Sequence, residues 1–117
     1  MTTKHMLGGV MATLVCAGAG SAAELTDTQA RRFFNEKGCN GCHDVEEVHL
    51  APSFRSVSGR YSGDKDGRME ELAQKIIHGG AGNWGVVPMI SNPKVTPEEA
   101  RAVASWILTF NVRHPAK

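Results

Sequence analysis

Two cysteines three positions apart, followed at once by a histidine, restrict what this chain can fold into more than any other feature. They occur in the run Cys39-Asn40-Gly41-Cys42-His43. This spacing is typical of covalent haem c attachment, because the two thiols can add to the two vinyl groups of a porphyrin while the next side chain reaches the iron. The sequence therefore predicts one covalent haem c, with His43 as an axial iron ligand and the rest of the chain folded around it.

The N-terminus has the pattern of an export signal. Lys4 precedes an apolar stretch of small residues from Met6 to Ala19, and small residues up to Ala23 provide a site for a signal peptidase. We predict cleavage after Ala23, which makes residues 1–23 a signal peptide and residues 24–117 one mono-haem domain in the periplasm. A retained membrane anchor is the less favoured alternative, because the apolar stretch is short for crossing a bilayer.

Charge and cysteine content limit the classes of partner. Removal of the signal would leave 94 residues with 12 basic and 12 acidic side chains. This balance gives no electrostatic reason to bind nucleic acid or an anionic membrane, since both need clustered basic residues. Cys16 would be lost with the signal, and the two remaining thiols, Cys39 and Cys42, would pair as a disulfide in an oxidising compartment unless haem used both.

Helix signals dominate the chain, and no stretch has a convincing strand pattern. Capping boxes, glycines after apolar stripes and a first-turn proline mark the ends of the helices. The sequence thus predicts an all-α protein of about four helices, with loops long enough to wrap one covalent haem. The elements are a first helix from the capping box at Thr26 to Gly38, a helical turn within Ser53 to Tyr61, a third helix capped by Asp66 and ending at His78, and a last helix that Thr96 caps and that has apolar residues as far as Phe110.

The opposite axial position needs a second ligand, and the residues alone leave several candidates. Met89 lies in a loop after Pro88, a whole helix away from the attachment motif, so the chain could return to the far side of the haem. Its thioether is a soft ligand that favours ferrous iron. The alternative for Met89 is a core residue that fills a gap. Met69, His49 and His78 are weaker candidates, since the first belongs to a helical stripe and the histidines have surface patterns.

Motifs spread over almost all of residues 24–117 carry a family resemblance. They include Phe34 and Gly38, Ala51-Pro52-Ser53-Phe54, Arg60-Tyr61-Ser62-Gly63, Glu71-Leu72-Ala73-Gln74-Lys75-Ile76, Gly82-Asn83-Trp84-Gly85-Val86-Val87-Pro88-Met89, Asn92, and Ser105-Trp106-Ile107-Leu108. On these residues the chain resembles small bacterial class I cytochromes c of the cytochrome c-551 type. The resemblance implies the class I cytochrome c fold, with Met89 as the sixth iron ligand.

The resemblance also implies contacts around the haem, because partners of the axial ligands tune their geometry and the reduction potential. By its position, the Pro52 carbonyl would accept the ring hydrogen of His43. Trp84 would donate its indole N–H to a haem propionate, Lys75 would help to neutralise a propionate, and Asn92 would orient the methionine sulfur. The alternatives are a turn proline, a tryptophan packed in the core and a solvated lysine.

The resemblance further implies that Phe34 and Trp106 pack where the first and last helices cross. The chain departs from the family pattern in two places. Ala51 stands where a glycine is usual, which puts the local backbone in question. The tail from Asn111 to Lys117 extends past the usual end and is a candidate for disorder.

The leading hypothesis for function is a periplasmic electron carrier, not an enzyme, that shuttles one electron between respiratory or denitrification proteins. Axial ligation by histidine and methionine closes the iron to substrates. We expect a monomer without stable membrane insertion, whose redox partners dock transiently on apolar residues at the haem edge, namely Ala51, Val87 and Ile90.

Two alternatives come from other classes of protein. A haem c enzyme or gas sensor would need a displaceable sixth ligand, and no distal histidine or arginine arrangement is evident in the sequence. A zinc or thiol-redox module built on Cys39 and Cys42 would need a second pair of metal ligands or a thioredoxin-like alternation of strands and helices, and the sequence has neither.

Overall fold

The helices that the structure describes pack around a core of buried apolar side chains. The structure is a computed structural model and describes residues 24–117, so the predicted signal peptide lies outside the described residues. Within this range there are five α-helices, a short 3₁₀ turn and no strand, and none of the helices is long and apolar enough to cross a membrane. The prediction of an all-α protein is confirmed. The helices are α1 (Asp27–Glu36), α2 (Phe54–Tyr61), α3 (Lys65–His78), α4 (Pro97–Leu108) and α5 (Phe110–Arg113), and the 3₁₀ turn is Cys39–Gly41.

The first and fourth helices begin where the sequence predicts. The Thr26 hydroxyl accepts the Gln29 N–H at 3.2 Å and the Gln29 side chain accepts the Thr26 N–H at 2.9 Å. Thr96 and Glu99 repeat this reciprocal pair with the same two distances, 3.2 and 2.9 Å. Each capping box satisfies two backbone N–H groups that a helix start would otherwise leave without partners.

The second and third helices differ from the predictions. The predicted helical turn after Ser53 is a complete helix, α2, and the Ser53 hydroxyl accepts the Ser56 N–H at 3.1 Å. The prediction that Asp66 caps α3 is wrong. Asp64 caps it by accepting the Gly67 N–H at 3.2 Å, and Asp66 lies inside the first turn.

The C-terminal segment is held against α2. The backbone N–H of Asn111 donates to the buried hydroxyl of Ser58 at 3.1 Å, and the Asn111 amide donates to the Arg55 carbonyl at 3.1 Å. Arg55 in turn donates to the His114 carbonyl at 2.8 Å. The expectation of a disordered tail is therefore wrong as far as His114, because three hydrogen bonds fix this segment.

Aromatic rings form the centre of the core. The rings of Phe34 on α1 and Trp106 on α4 lie 5.4 Å apart at 66°, which confirms that these residues pack where the two helices meet. Phe54 packs on Phe34 at 4.4 Å, and Phe110 packs on Trp106 at 5.1 Å. Offset and edge-to-face contacts of this kind add to the free energy gained by burying the rings.

Two long connections leave this core. Residues 42–53 join the 3₁₀ turn to α2, and residues 79–96 join α3 to α4. Most of the residues singled out as candidate haem contacts lie in these two connections, and the helices fix where each connection begins and ends.

Candidate haem-binding site

The two cysteines belong to one tight turn at the end of α1. Gly38 has φ +79°, a conformation that side chains disfavour, and turns the chain out of the helix. The N–H groups of Cys42 and His43 then donate to the Cys39 carbonyl at 3.2 and 3.0 Å. Cys39 is half-buried against the core, which raises the pKa of its thiol, whereas Cys42 is exposed. Both thiols are free, so both are available for covalent attachment.

The imidazole of His43 is fixed in orientation and in tautomer. Its Nδ1 lies 2.8 Å from the Pro52 carbonyl oxygen, and because a carbonyl can only accept, Nδ1 carries the hydrogen. In the neutral ring Nε2 then holds the lone pair that a metal ion would use. The ring stacks on Phe54, with centroids 5.1 Å apart and planes 18° apart. The contact with Pro52 that the resemblance implied is present, and the ligation of iron by His43 stays a prediction.

Backbone hydrogen bonds join the two ends of the connection between the 3₁₀ turn and α2, residues 42–53. The Ala51 N–H donates to the Cys42 carbonyl at 3.1 Å, and the Phe54 N–H donates to the Asp44 carbonyl at 3.0 Å. Hydrogen bonds from the backbone N–H groups of Glu47 and Glu46 hold the pKa of Asp44 below its ordinary value. Among residues 24–117 only glycines have a positive φ, so Ala51 replaces the usual glycine without backbone strain.

Met89 is half-buried against the core, and its backbone is paired with Gly80, two residues past the end of α3. Met89 and Gly80 exchange two hydrogen bonds, from the Gly80 N–H at 2.9 Å and from the Met89 N–H at 2.8 Å. Three residues later, the Asn92 N–H donates to the Ile77 carbonyl at 2.9 Å and the Asn92 amide donates to the Lys37 carbonyl at 2.9 Å. An amide group has a second hydrogen, and its contact with the methionine sulfur stays a prediction.

Trp84 lies outside the core, with 41% of its surface exposed. The guanidinium of Arg60 lies 4.5 Å from its ring centre and also donates to the Asn83 carbonyl at 2.6 Å. Tyr61 packs edge-on against the indole at 6.3 Å. Sequence reasoning assigned no role to Arg60, since nothing in its local pattern points to Trp84. The exposed position of the indole does not fit the alternative of core packing.

The structure also places Lys75 and the three other candidate iron ligands. Lys75 is half-buried in the last turn of α3. Its ammonium group lies next to Gly80, 3.2 Å from where a Cβ of that residue would be. Met69 is packed against the core, which is the position that a helical stripe predicts. His49 and His78 are exposed.

The side chains that this site offers fit haem c. They are two free thiols, an imidazole with Nε2 available and a half-buried thioether, which are ligand types that iron porphyrins use. The connection around Met89 also presents apolar side chains to the outside, with Val86 92% and Ile90 80% exposed. Exposed apolar residues grouped in one segment are typical of a binding surface.

Comparison with known proteins assigns the family. The family model described as Cytochrome c matches residues 28–111. The chain belongs to the cytochrome c family. It is a haem c electron carrier, its iron-containing haem is covalently attached, and it exchanges electrons with redox partners.

Relatives of the same type cover most of the described chain. Cytochrome c-551 of Azotobacter vinelandii is 43% identical over 77 residues, which are 66% of this chain and 92% of that protein. Cytochrome c-551 of Pseudomonas aeruginosa is 32% identical over 105 residues, which are 90% of this chain and 95% of that protein. The recognition of a small class I cytochrome c of the c-551 type is confirmed.

Solved structures agree with the fold. The wild-type cytochrome c552 of Nitrosomonas europaea superposes with a TM-score of 0.63 at 37% identity, covering 68% of this chain and 96% of that one. The class 1 cytochrome MtoD of Sideroxydans lithotrophicus superposes with a TM-score of 0.58 at 24% identity, covering 68% of this chain and 90% of that one, and this likeness concerns the fold alone. The predicted class I cytochrome c fold is confirmed.

Proposed function

We propose that this cytochrome is a periplasmic, monomeric carrier of single electrons, without enzymatic activity, whose iron is closed by His43 and Met89. The observation that carries the proposal is the hydrogen bond of 2.8 Å between the His43 ring and the Pro52 carbonyl. This bond leaves Nε2 as the only nitrogen of the neutral ring with a free lone pair. A histidine held in this way is set up to ligate a metal on one side.

The surroundings of both proposed ligands favour electron transfer over substrate binding. The haem iron supplies the one-electron couple when it is bound. Phe54 supports the His43 ring from one face, and two hydrogen bonds with Gly80 hold the Met89 backbone in place. Ligands held by rigid neighbours move little when the charge on iron changes, and a methionine ligand raises the reduction potential. A displaceable sixth ligand, as a haem enzyme or sensor needs, fits this arrangement less well.

Three apolar residues form the proposed docking surface. Val87 and Ile90 are exposed and lie two residues before and one residue after Met89, and Ala51 is half-buried beside Pro52. These residues therefore adjoin the two segments that would supply the axial ligands. Redox complexes are small and short-lived, so a few apolar contacts are sufficient and no stable complex is expected. The nearly balanced charge of residues 24–117 gives no reason to expect nucleic acid or an anionic membrane as the partner.

The proposed location depends on residues 1–23 acting as a cleaved signal peptide. Their apolar stretch and the small residues before Glu24 support export, and the attachment of haem to two thiols in an oxidising compartment is consistent with it. N-terminal sequencing of the purified holoprotein tests this part of the proposal, with Glu24 as the expected first residue.

The far-red spectrum of the ferric holoprotein tests the proposed ligation. We expect a weak band from charge transfer between methionine sulfur and iron, present in the wild type, absent in Met89→Ala and retained in Met69→Ala. Met69 is the matched control, because it is also a half-buried methionine packed against the core. A high-spin spectrum in the wild type, or a band that survives in Met89→Ala, would show that Met89 does not occupy the sixth position.

A further inference from the structure

Gly79, the residue directly after α3, lies against the backbone of residues 89–91. Its backbone angles are φ +72° and ψ −162°, a combination that is essentially restricted to glycine. A Cβ at this position would overlap the Met89 carbonyl oxygen and would lie 2.8 Å from both the Ile90 carbonyl carbon and the Ser91 nitrogen. Backbone atoms of residues 89–91 therefore occupy the space that any side chain at Gly79 would need.

This close approach lies between two sets of hydrogen bonds that join the end of α3 and the residues after it to the segment that carries Met89. The hydrogen bonds between Gly80 and Met89 lie on one side of it, at 2.9 and 2.8 Å. On the other side the Asn92 N–H donates to the Ile77 carbonyl at 2.9 Å. Residues 89–92 are thus held at both ends, by Gly80 just after α3 and by Ile77 in its last turn.

We propose that Gly79 is a positioning residue for the sixth iron ligand. Because it has no side chain, residues 89–91 can lie directly on the end of α3, and this position sets how far the Met89 thioether reaches. The inference rests on the proposed ligation by His43 and Met89. A Cβ at Gly79 displaces the Met89 carbonyl, breaks its hydrogen bond with the Gly80 N–H and moves the sulfur relative to the iron.

Gly82 provides a matched control in the same connection. It also has a positive φ, +98°, so alanine is strained there as it is at Gly79. However, a Cβ at Gly82 would meet no atom within 4 Å. Comparison of Gly79→Ala with Gly82→Ala therefore separates the loss of the close approach from the backbone strain that both substitutions cause.

The experiment is a titration of the ferric wild-type, Gly79→Ala and Gly82→Ala holoproteins with imidazole, with the far-red sulfur–iron band recorded for each. An external ligand competes with Met89, so its apparent affinity rises when the internal bond weakens. We expect Gly79→Ala to bind imidazole about tenfold more tightly than the wild type and to show a weaker band, and Gly82→Ala to stay within about twofold. Equal affinities in the two variants would overturn the inference.

The result also separates this inference from the ligation on which it rests. A wild-type protein without the band would contradict ligation by Met89 and, with it, the role of Gly79. A wild-type protein with the band, combined with an unchanged Gly79→Ala, would contradict only the role of Gly79.

Amide hydrogen exchange in the wild-type holoprotein tests the backbone pairing on which the inference depends, and it requires no variant to fold. The N–H groups of Gly80 and Met89 are paired with each other's carbonyls, whereas the Val87 N–H has no acceptor among residues 24–117 of the structure. We expect the Gly80 and Met89 amides to exchange much more slowly than that of Val87. Exchange of all three at similar rates would show that the segment is not held against α3, and the inference would be wrong.

Discussion

Asp27, the first residue of α1, accepts a hydrogen bond at 2.9 Å from the indole nitrogen of Trp106 on α4. The same carboxylate oxygen accepts a second hydrogen bond, from Arg113 on α5 at 2.7 Å. One side chain at the start of the described chain therefore connects its first helix to its last two. The indole ring itself packs against Phe34 in the core, so this polar contact adds to an aromatic contact between the same two helices.

Replacement of Trp106 by phenylalanine tests this connection. The substitution keeps an aromatic ring in the core but removes the N–H that donates to Asp27, and we expect the free energy of unfolding to fall by about 2 kcal/mol. Guanidinium unfolding of the ferric holoprotein measures the change. A double-mutant cycle with Asp27→Ala isolates the pair, and a coupling energy near zero would contradict the role given to the hydrogen bond.

The stability of the protein in acid should depend on Asp27. Burial raises the pKa of Asp27, but hydrogen bonds from Arg113 and Trp106 and the nearby charge of His114 outweigh it, so the pKa lies below the ordinary 3.8. The Nε2 of His114 lies 2.8 Å from the carboxylate but is not aligned for a hydrogen bond. The folded state prefers the ionised carboxylate. This preference stabilises the folded state fully above pH 3.8, and the stabilisation is lost as the pH falls through the lower pKa of the folded state.

Thermal unfolding of the wild type and Asp27→Asn, between about pH 5 and about pH 2, checks this dependence. We expect the variant to be less stable at the upper end and the difference between the two proteins to shrink as the pH falls. The asparagine retains an oxygen that can accept the Trp106 N–H, so the comparison reports the charge. Parallel curves over the whole range would contradict the prediction.

Ser58 is a buried hydroxyl that joins α2 to the C-terminal helices. It donates to the Leu108 carbonyl at 3.2 Å and accepts the Asn111 N–H at 3.1 Å. Ser58→Ala leaves both backbone groups without this partner, and we expect a loss of about 1–3 kcal/mol in the free energy of unfolding. Ser62→Ala is the control, because that hydroxyl is exposed and bonds only to the nearby Gly59 carbonyl. Similar losses of unfolding free energy in both variants would show that the two hydrogen bonds of Ser58 contribute no more to stability than an exposed one.

The proposed docking surface predicts a slower transfer of electrons after a charge is placed on it. In Val87→Asp, two molecules that meet edge to edge bring like charges together, and we expect electron self-exchange to slow by about tenfold at low salt. Self-exchange is measured by nuclear magnetic resonance on mixed ferric and ferrous protein, so no unidentified partner is needed. The reduction potential should change little.

Val112→Asp is the matched control for this prediction. Val112 on α5 is 66% exposed and Val87 is 53% exposed, so the two substitutions add the same charge at similarly exposed valines. We expect self-exchange of the Val112 variant to stay close to that of the wild type. If both variants slow equally, net charge rather than the surface around Val87 controls the reaction.

Features that depend on residues a few positions apart could be predicted from the sequence. Thr26 with Gln29 and Thr96 with Glu99 form capping boxes because partners three positions apart meet at any helix start. The start of α3 shows the limit of such signals. Asp64 and Asp66 are both suitable N-cap residues. Which of them caps α3 depends on where the preceding turn ends, and no local pattern specifies that.

Contacts around the candidate site could not be predicted from local sequence patterns alone. The hydrogen bond between His43 and Pro52 was anticipated only through the family resemblance, since nothing in the intervening loop requires it. The contact of Arg60 with Trp84 and the hydrogen bonds that hold the C-terminal tail were not predicted. Each of these contacts joins residues from separate elements, and a small shift between the elements would break it.

By itself, the sequence determined the haem attachment motif, the all-α class and the starts of α1 and α4, because each depends on residues that are neighbours along the chain. The tertiary structure alone decided that Gly79 lies under the Met89 backbone and that Asp27 connects α1 to α4 and α5. These relationships depend on how the helices pack, and packing is the sum of many weak contacts between distant residues that no single stretch of sequence encodes.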